Sequence, residues 1–249
     1  FQQSLNKPNT NPILQGNQEE QVKKFAELQE RLNNKEFLEG AKNAFESSKG
    51  LQEWGTQEQY NDYIARVSLG IVKNPTSGEY NYESQVKDIV YHDSNVDLKV
   101  TGYDKDKIGQ NDGTVSGNGI GFYSKEDKWL GKRYNTNRQY DNPSIVNLSN
   151  PIIKKDFLKL HNTNTLEEAV QKATGATLKN ISKHNKTVID VATPLQEKLN
   201  VDGVINQFLE GKEYLVFEPE QIHILGSKQD IEGFENFIKT DEQKKKCPF

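Results

Sequence analysis

Val22, Phe25, Leu28 and Leu32 recur at intervals of three and four, with charged residues between them. That spacing puts one apolar face on a helix. Asn33-Asn34 interrupts the pattern. A second amphipathic run, from about Glu36 to Ser48, turns Phe37, Leu38, Ala41, Ala44 and Phe45 inward, and Gly50 suits its C-terminal cap. The two runs predict a helical hairpin over residues 19–54. Thr56, followed three positions later by Gln59, has the form of a capping box. It starts a further helix with Tyr60, Tyr63, Ile64 and Val67 on its apolar face, ended by Gly70 and Pro75.

The pattern then changes period. Val86 to Tyr91 predicts a strand, followed at once by His92. Asp104 to Gly119 is polar and rich in glycine and predicts a long loop. After Gly121-Phe122-Tyr123-Ser124 a helix is expected from Lys125 to about Tyr134. Strands are expected at Ser144–Leu148 and Val201–Ile205, and helices at Leu166–Ala173 and Val188–Leu199. Asp202-Gly203 has the composition of a hairpin turn. Tyr214 to Phe217 is an unbroken β-prone run with Glu213 at its entrance. Pro219 turns the chain, and Gln221 to Leu225 reads as another short strand. Helices first, then short strands between long loops, argue for an α+β fold. The expected organisation is an arm over residues 1–18, the helical hairpin over 19–54, a main domain over 55–240 and a disordered tail over 241–249.

Composition narrows the options. The 249 residues are 33% hydrophobic and 27% charged, with a net charge of -4, which gives no electrostatic case for binding nucleic acid. One cysteine, Cys247, excludes a disulfide framework within the chain and a cysteine-based metal site. No apolar run reaches membrane-spanning length. The chain opens on Phe1 and holds no methionine, which reads as a trimmed or processed piece of a longer protein.

Four side chains end or follow apolar runs and could project from a sheet rim: His92, Tyr123, Tyr134 and Glu213. Singly, each has a bland reading: a partly buried histidine, a packing tyrosine, a solvated acid at a strand end. Glu218-Pro219-Glu220 offers a second acidic pair, for which two turn residues are the simpler account.

Taken in order, Val90-Tyr91-His92, Gly121-Phe122-Tyr123 with Tyr134, Asp202-Gly203-Val204-Ile205, and Glu213-Tyr214-Leu215-Val216-Phe217 with Gln221-Ile222 resemble the ADP-ribosyltransferase superfamily. The branch is the His-Tyr-Glu one, of poly(ADP-ribose) polymerases and diphtheria-type toxins. The likeness is nearest to the domains of phage and mobile-element polyvalent proteins, where a helix opening Gly-Thr-x-Glu-Gln-Tyr precedes the His strand, as Gly55 to Tyr60 does here. It covers roughly Gly55 to Leu225. It implies a split β-sandwich with an NAD-binding cleft between two small sheets, preceded here by the helical segment. It also implies a phage virion or bacterial cytoplasm as the setting, NAD as substrate with no metal, and an unidentified protein acceptor. By that likeness His92 would hold the adenosine-side ribose, and backbone around it, including Asp93, would meet the nicotinamide carboxamide. Tyr123 and Tyr134 would sandwich the nicotinamide ring, and Glu213 would accept from the nicotinamide-ribose 2′-hydroxyl. The family usually carries Gly directly after the His; this chain has Asp93, then Ser94.

These roles fit the chemistry. Breaking the nicotinamide–ribose bond builds positive charge on the ribose, as glycoside hydrolysis does. A fixed carboxylate stabilises that charge as it develops. The leaving nicotinamide is neutral, so no strong acid is required. Hydrolysis of NAD by water, or a catalytically inactive fold serving as an interaction or virion-cargo module, are the alternative readings.

Overall fold

The computed structural model describes residues 18–78, 84–103, 119–124, 140–183, 186–208 and 211–246. The expected arm, the glycine-rich loop up to residue 118 and the expected helix holding Tyr134 lie outside the described residues.

Four helices open the fold: α1 (Gln18–Asn33), α2 (Lys35–Glu46), α3 (Lys49–Trp54) and α4 (Gln57–Ser68). The Asn33-Asn34 break is a helix start: the Asn34 side chain accepts from the backbone N–H groups of Glu36 and Phe37. The Thr56–Gln59 capping box forms with both of its reciprocal bonds. Gly50 does not cap α2. Ser47 takes that place, and Gly50 lies inside α3, where a Cβ would meet Ile231 at 2.8 Å. The glycine there allows close approach of the last helix, α9 (Lys228–Lys246). Its 19 residues include 241–246, where the composition predicts a disordered tail.

The strands are β1 (Val90–Ser94), β2 (Ile120–Tyr123), β3 (Tyr140–Val146), β4 (Ile152–Ile153), β7 (Gly203–Phe208), β8 (Gly211–Val216) and β9 (Ile222–Ile224), with a separate hairpin of β5 (Asn180–Lys183) and β6 (Lys186–Ile189). The short helix α5 (Leu98–Thr101) follows β1, and α6 (Lys154–His161), α7 (Leu166–Thr174) and α8 (Ala192–Leu199) lie between β4 and β7. The helix expected from Val188 therefore begins only at Ala192. The β-branched Thr187-Val188-Ile189 pairs with Asn180 to Ser182, and the Asp190 carboxylate accepts from the Thr193 N–H at the helix start. Asp202-Gly203 is no hairpin turn either. Gly203 opens β7, and the Asp202 carboxylate accepts from the N–H and hydroxyl of Ser149 and the N–H of Asn150.

The main sheet runs β4-β7-β8-β2-β1-β3-β9, antiparallel except for the β4–β7 pair. The mixture of helices and a largely antiparallel sheet is the α+β class. The sheet has a joint in its middle. β1 pairs with β3 at five positions and β2 with β8 at four, but β1 and β2 share a single register pair, Tyr91 opposite Tyr123. The two halves curl toward each other across this joint. Gly203 on β7 abuts Leu148 just past β3, and the Gln221 side-chain amide donates to the carbonyls of Asn147 and Asp202.

Strand alternation divides the core. On one face, Val90, Phe122, Val146, Ile205, Tyr214, Val216 and Ile224 form one apolar cluster lining the inside of the curl. The other face carries two separate helical layers. Tyr91 and Ile145 pack under α1–α4 and α9, in a cluster with Phe37, Ala41, Tyr60, Tyr63 and Phe234. Val204 and Leu215 pack under α6–α8 with Phe157, Val170 and Leu195. Each fully buried Leu or Phe of this kind stabilises the fold by about 1.5–3 kcal/mol. Residues 19–54 thus share one core with the main domain.

Candidate functional site

The joint is where polar side chains collect. Register makes Glu213 the direct partner of Tyr123 on one side and of Asn206 on the other. Tyr123 is in turn opposite Tyr91. Directly opposed residues in a ladder project from the same face. Asn206, Glu213, Tyr123 and Tyr91 therefore form one row across four strands, on the face that carries the two helical layers. The row bridges those layers. Tyr91 belongs to the first core cluster and Tyr123 packs at its edge, whereas Leu215, two residues on from Glu213, belongs to the other.

Within the row, the tyrosine rings of Tyr91 and Tyr123 stack with centroids 6.4 Å apart and planes 30° from parallel. Tyr91 is 4% exposed, and its buried hydroxyl has no hydrogen-bond partner among the described residues. Burial pushes that phenol well above the ordinary tyrosine range, with the carboxylates of Asp141, Glu39 and Glu36 adding to the effect. Glu213 is half-buried, and the Asn206 side-chain amide donates to its Oε2 at 3.2 Å. At the same end of the strands a cavity of about 240 Å³ opens between the start of α2 and the sheet, bordered by Glu36, Phe37, Tyr91, Ser124, Gly211 and Lys212. It is smaller than the roughly 300–1,000 Å³ typical of drug-sized ligands, so it has room for a ring or a side-chain head.

His92 follows Tyr91 within β1 and so leaves the strand on the opposite face, against Phe122 and Tyr103. Its Nδ1 lies 2.7 Å from the carbonyl oxygen of Gly121. A carbonyl only accepts, so Nδ1 carries a proton. The imidazole thus bridges β1 and β2 where their ladder has a single register pair. Asp93 is opposite Asp141 on β3, which sets two carboxylates across from each other. Among the candidate residues, then, Tyr123 and Glu213 are neighbours, His92 and Asp93 sit on the adjoining strand, and Tyr134 lies outside the described residues. Glu218 caps a 3-10 turn at Pro219–Gln221 and accepts from the Gln196 amide, which accounts for its place in the acidic pair.

A second group of reactive side chains lies away from this row. His223 and Asp230 are both fully buried. Asp230 accepts from His223 Nε2 at 2.9 Å, from the Tyr60 hydroxyl at 2.6 Å and from the Gly226 N–H at 2.6 Å. Thr76 Oγ1 lies 2.8 Å from His223 Nδ1. The order hydroxyl, imidazole, carboxylate resembles a nucleophile relay. The backbone N–H groups of Thr76 and Ser77, which would have to polarise an acyl oxygen, donate instead to the Asn74 side chain. The group is a structural tie between α4, β9 and α9. Its sequence signal was a histidine inside the apolar Ile222-His223-Ile224 strand. Asn206 had a weaker one: an amide inside the run Gly203 to Phe208.

Among the described residues no helix is long and apolar enough to cross a membrane, and no group of three His, Cys, Asp or Glu could hold a metal ion. Comparison with protein-family models, with curated proteins and with solved structures finds no match.

Proposed function

We propose that the chain cleaves the nicotinamide–ribose bond of NAD and transfers ADP-ribose to a protein acceptor. The observation that carries this reading is the register pair Tyr123–Glu213 at the joint between the two half-sheets. It sets an oriented carboxylate beside an aromatic ring. Tyr123 holds the flat, cationic nicotinamide ring through its face, an interaction of about 0.5–2 kcal/mol. Glu213 accepts from the 2′-hydroxyl of the adjacent ribose and stabilises positive charge as the bond to nitrogen breaks. His92 leaves β1 on the opposite face from Tyr123 and Glu213, with Nδ1 donating to the Gly121 carbonyl, and has no role in this reading. The electron pair of the breaking bond leaves with neutral nicotinamide, and the acceptor nucleophile that bonds to the ribose carbon in its place releases its proton to solvent.

The test is nicotinamide release from NAD by the purified chain, followed by chromatography, with Glu213→Gln as the comparison. Loss of a charge-stabilising group of this kind costs about 2.7–4 kcal/mol, or roughly 10²–10³ in kcat. A wild-type chain that releases no nicotinamide, or a Glu213→Gln variant within threefold of it, overturns the proposal. Labelled protein against free ADP-ribose separates transfer from hydrolysis.

One observation favours a second reading, an interaction module without turnover. Asp93, standing where the resemblance expects Gly after the His, is opposite Asp141, and this paired negative charge disfavours an anionic dinucleotide. Titration calorimetry decides this: heat on adding NAD supports the enzyme, and none at millimolar NAD supports the module.

A further inference from the structure

We infer that Asn206 is a positioning residue that orients the Glu213 carboxylate toward the reacting ribose through an uncharged hydrogen bond. This rests on the transferase reading of the same site. Asn206 is 8% exposed, on the face of β7 that also buries Val204. Asparagine is a poor strand former, and a buried amide must find partners. Its Nδ2 donates to Glu213 Oε2 at 3.2 Å, and because a carboxylate only accepts, the partner itself fixes the amide's orientation. The two residues are direct partners across the β7–β8 hairpin, and Tyr123 closes the other side of Glu213.

The chemistry explains why the donor is an amide. A lysine or arginine at 206 would orient the carboxylate equally well, but it would neutralise the charge that stabilises the ribosyl cation. An aspartate would repel it. A buried neutral donor holds the geometry without itself adding a positive charge beside the carboxylate. The bond to one oxygen also biases which oxygen takes the 2′-hydroxyl.

Two measurements on the full chain test this. Asn206→Leu keeps the shape and removes the donor; Asn206→Ser keeps a shorter donor. The first measurement is steady-state nicotinamide release. Asn206→Leu is expected to lower kcat about tenfold while KM for NAD stays within about twofold, as for an interaction that matters chiefly in the transition state, and Asn206→Ser to recover part of the loss. Asn206→Asp sets a second carboxylate beside Glu213 and should move the acid limb of the pH–rate profile upward. The second measurement is a carbon-13 titration of the Glu213 carboxyl by NMR, which needs no turnover. Losing a donor to the ionised form should raise its midpoint by about half a unit or more in Asn206→Leu. Turnover that Glu213→Gln abolishes and Asn206→Leu leaves unchanged overturns the Asn206 inference alone, as does an unmoved titration. No turnover by the wild type overturns the transferase reading and with it the kinetic role of Asn206, whatever the titration gives.

Discussion

Replacing Asp230 by alanine should be among the most damaging single substitutions in the described fold. The carboxylate is fully buried and accepts from three donors on three segments: Tyr60 of α4, His223 of β9 and Gly226 ahead of α9. Truncation leaves all three without an acceptor. Each buried, unsatisfied group costs about 1–3 kcal/mol. Gly226 is only partly buried and can turn to water, and the void left by the carboxyl group can admit a water molecule that serves one of the others. The expected loss is therefore about 3–5 kcal/mol, the range for breaking a buried hydrogen-bonded pair on one side. Tyr60→Phe removes one donor and leaves Asp230 two, so about 1 kcal/mol is expected. Urea unfolding followed by circular dichroism measures both variants and their double mutant. The substitutions share a partner and should couple by about 0.5–3 kcal/mol. A loss below about 1 kcal/mol for Asp230→Ala, or strict additivity in the double mutant, refutes the claim that Asp230 ties the three segments together.

The remaining predictions concern close packing and ionisation. A Cβ at Gly203 would lie 2.5 Å from the Leu215 carbonyl oxygen and 2.6 Å from Leu148. Gly203→Ala must therefore push β8 or the end of β3 aside, at about 1–3 kcal/mol; an unchanged urea midpoint would count against the curl described for the sheet. Burial raises the phenols of Tyr60, Tyr63 and Tyr103 well above the ordinary range and that of Tyr91 above it. The folded chain then keeps protons that the unfolded chain releases above about pH 10, so this part of the stability is intact below that pH and falls as pH rises. Absorbance at 295 nm should show at least these four of the ten tyrosines staying protonated until the chain unfolds. Reversible ionisation of all ten near pH 10 with native circular dichroism would exclude this.

What the sequence made legible was local. α2 and α4 follow from apolar spacing and from side chains that cap within three residues, Asn34 and Thr56. Ile231, Phe234 and Ile238 carry the same helical spacing along α9. Other elements have no local signature. β4 is two residues long, and β2 is four with a glycine inside it; both exist because distant strands offer them a ladder. Val188-Ile189 reads as the start of a helix until Ile181 and Asn180 pair with it.

The site follows the same division, and its chemistry depends on the part that is not local. Residue identity marks Glu213 and Tyr123 as candidates, but only register makes them neighbours and sets Asn206 on the far side. Side chains alternate along β8, so Lys212 and Tyr214 occupy the opposite face from Glu213. A slip of one residue between β7 and β8 would bury a lysine or a tyrosine at this point in the row and turn the carboxylate into the apolar interior of the curl. The Phe208–Gly211 pair fixes that register at one end. Gly203 sets it at the other, where only a residue without Cβ lets Leu148 and the Leu215 carbonyl approach so closely. A glycine some ten residues from Glu213 thus decides which face the acid occupies. Bulky substitutions at position 203 should therefore impair any Glu213-dependent activity more than their effect on stability alone accounts for.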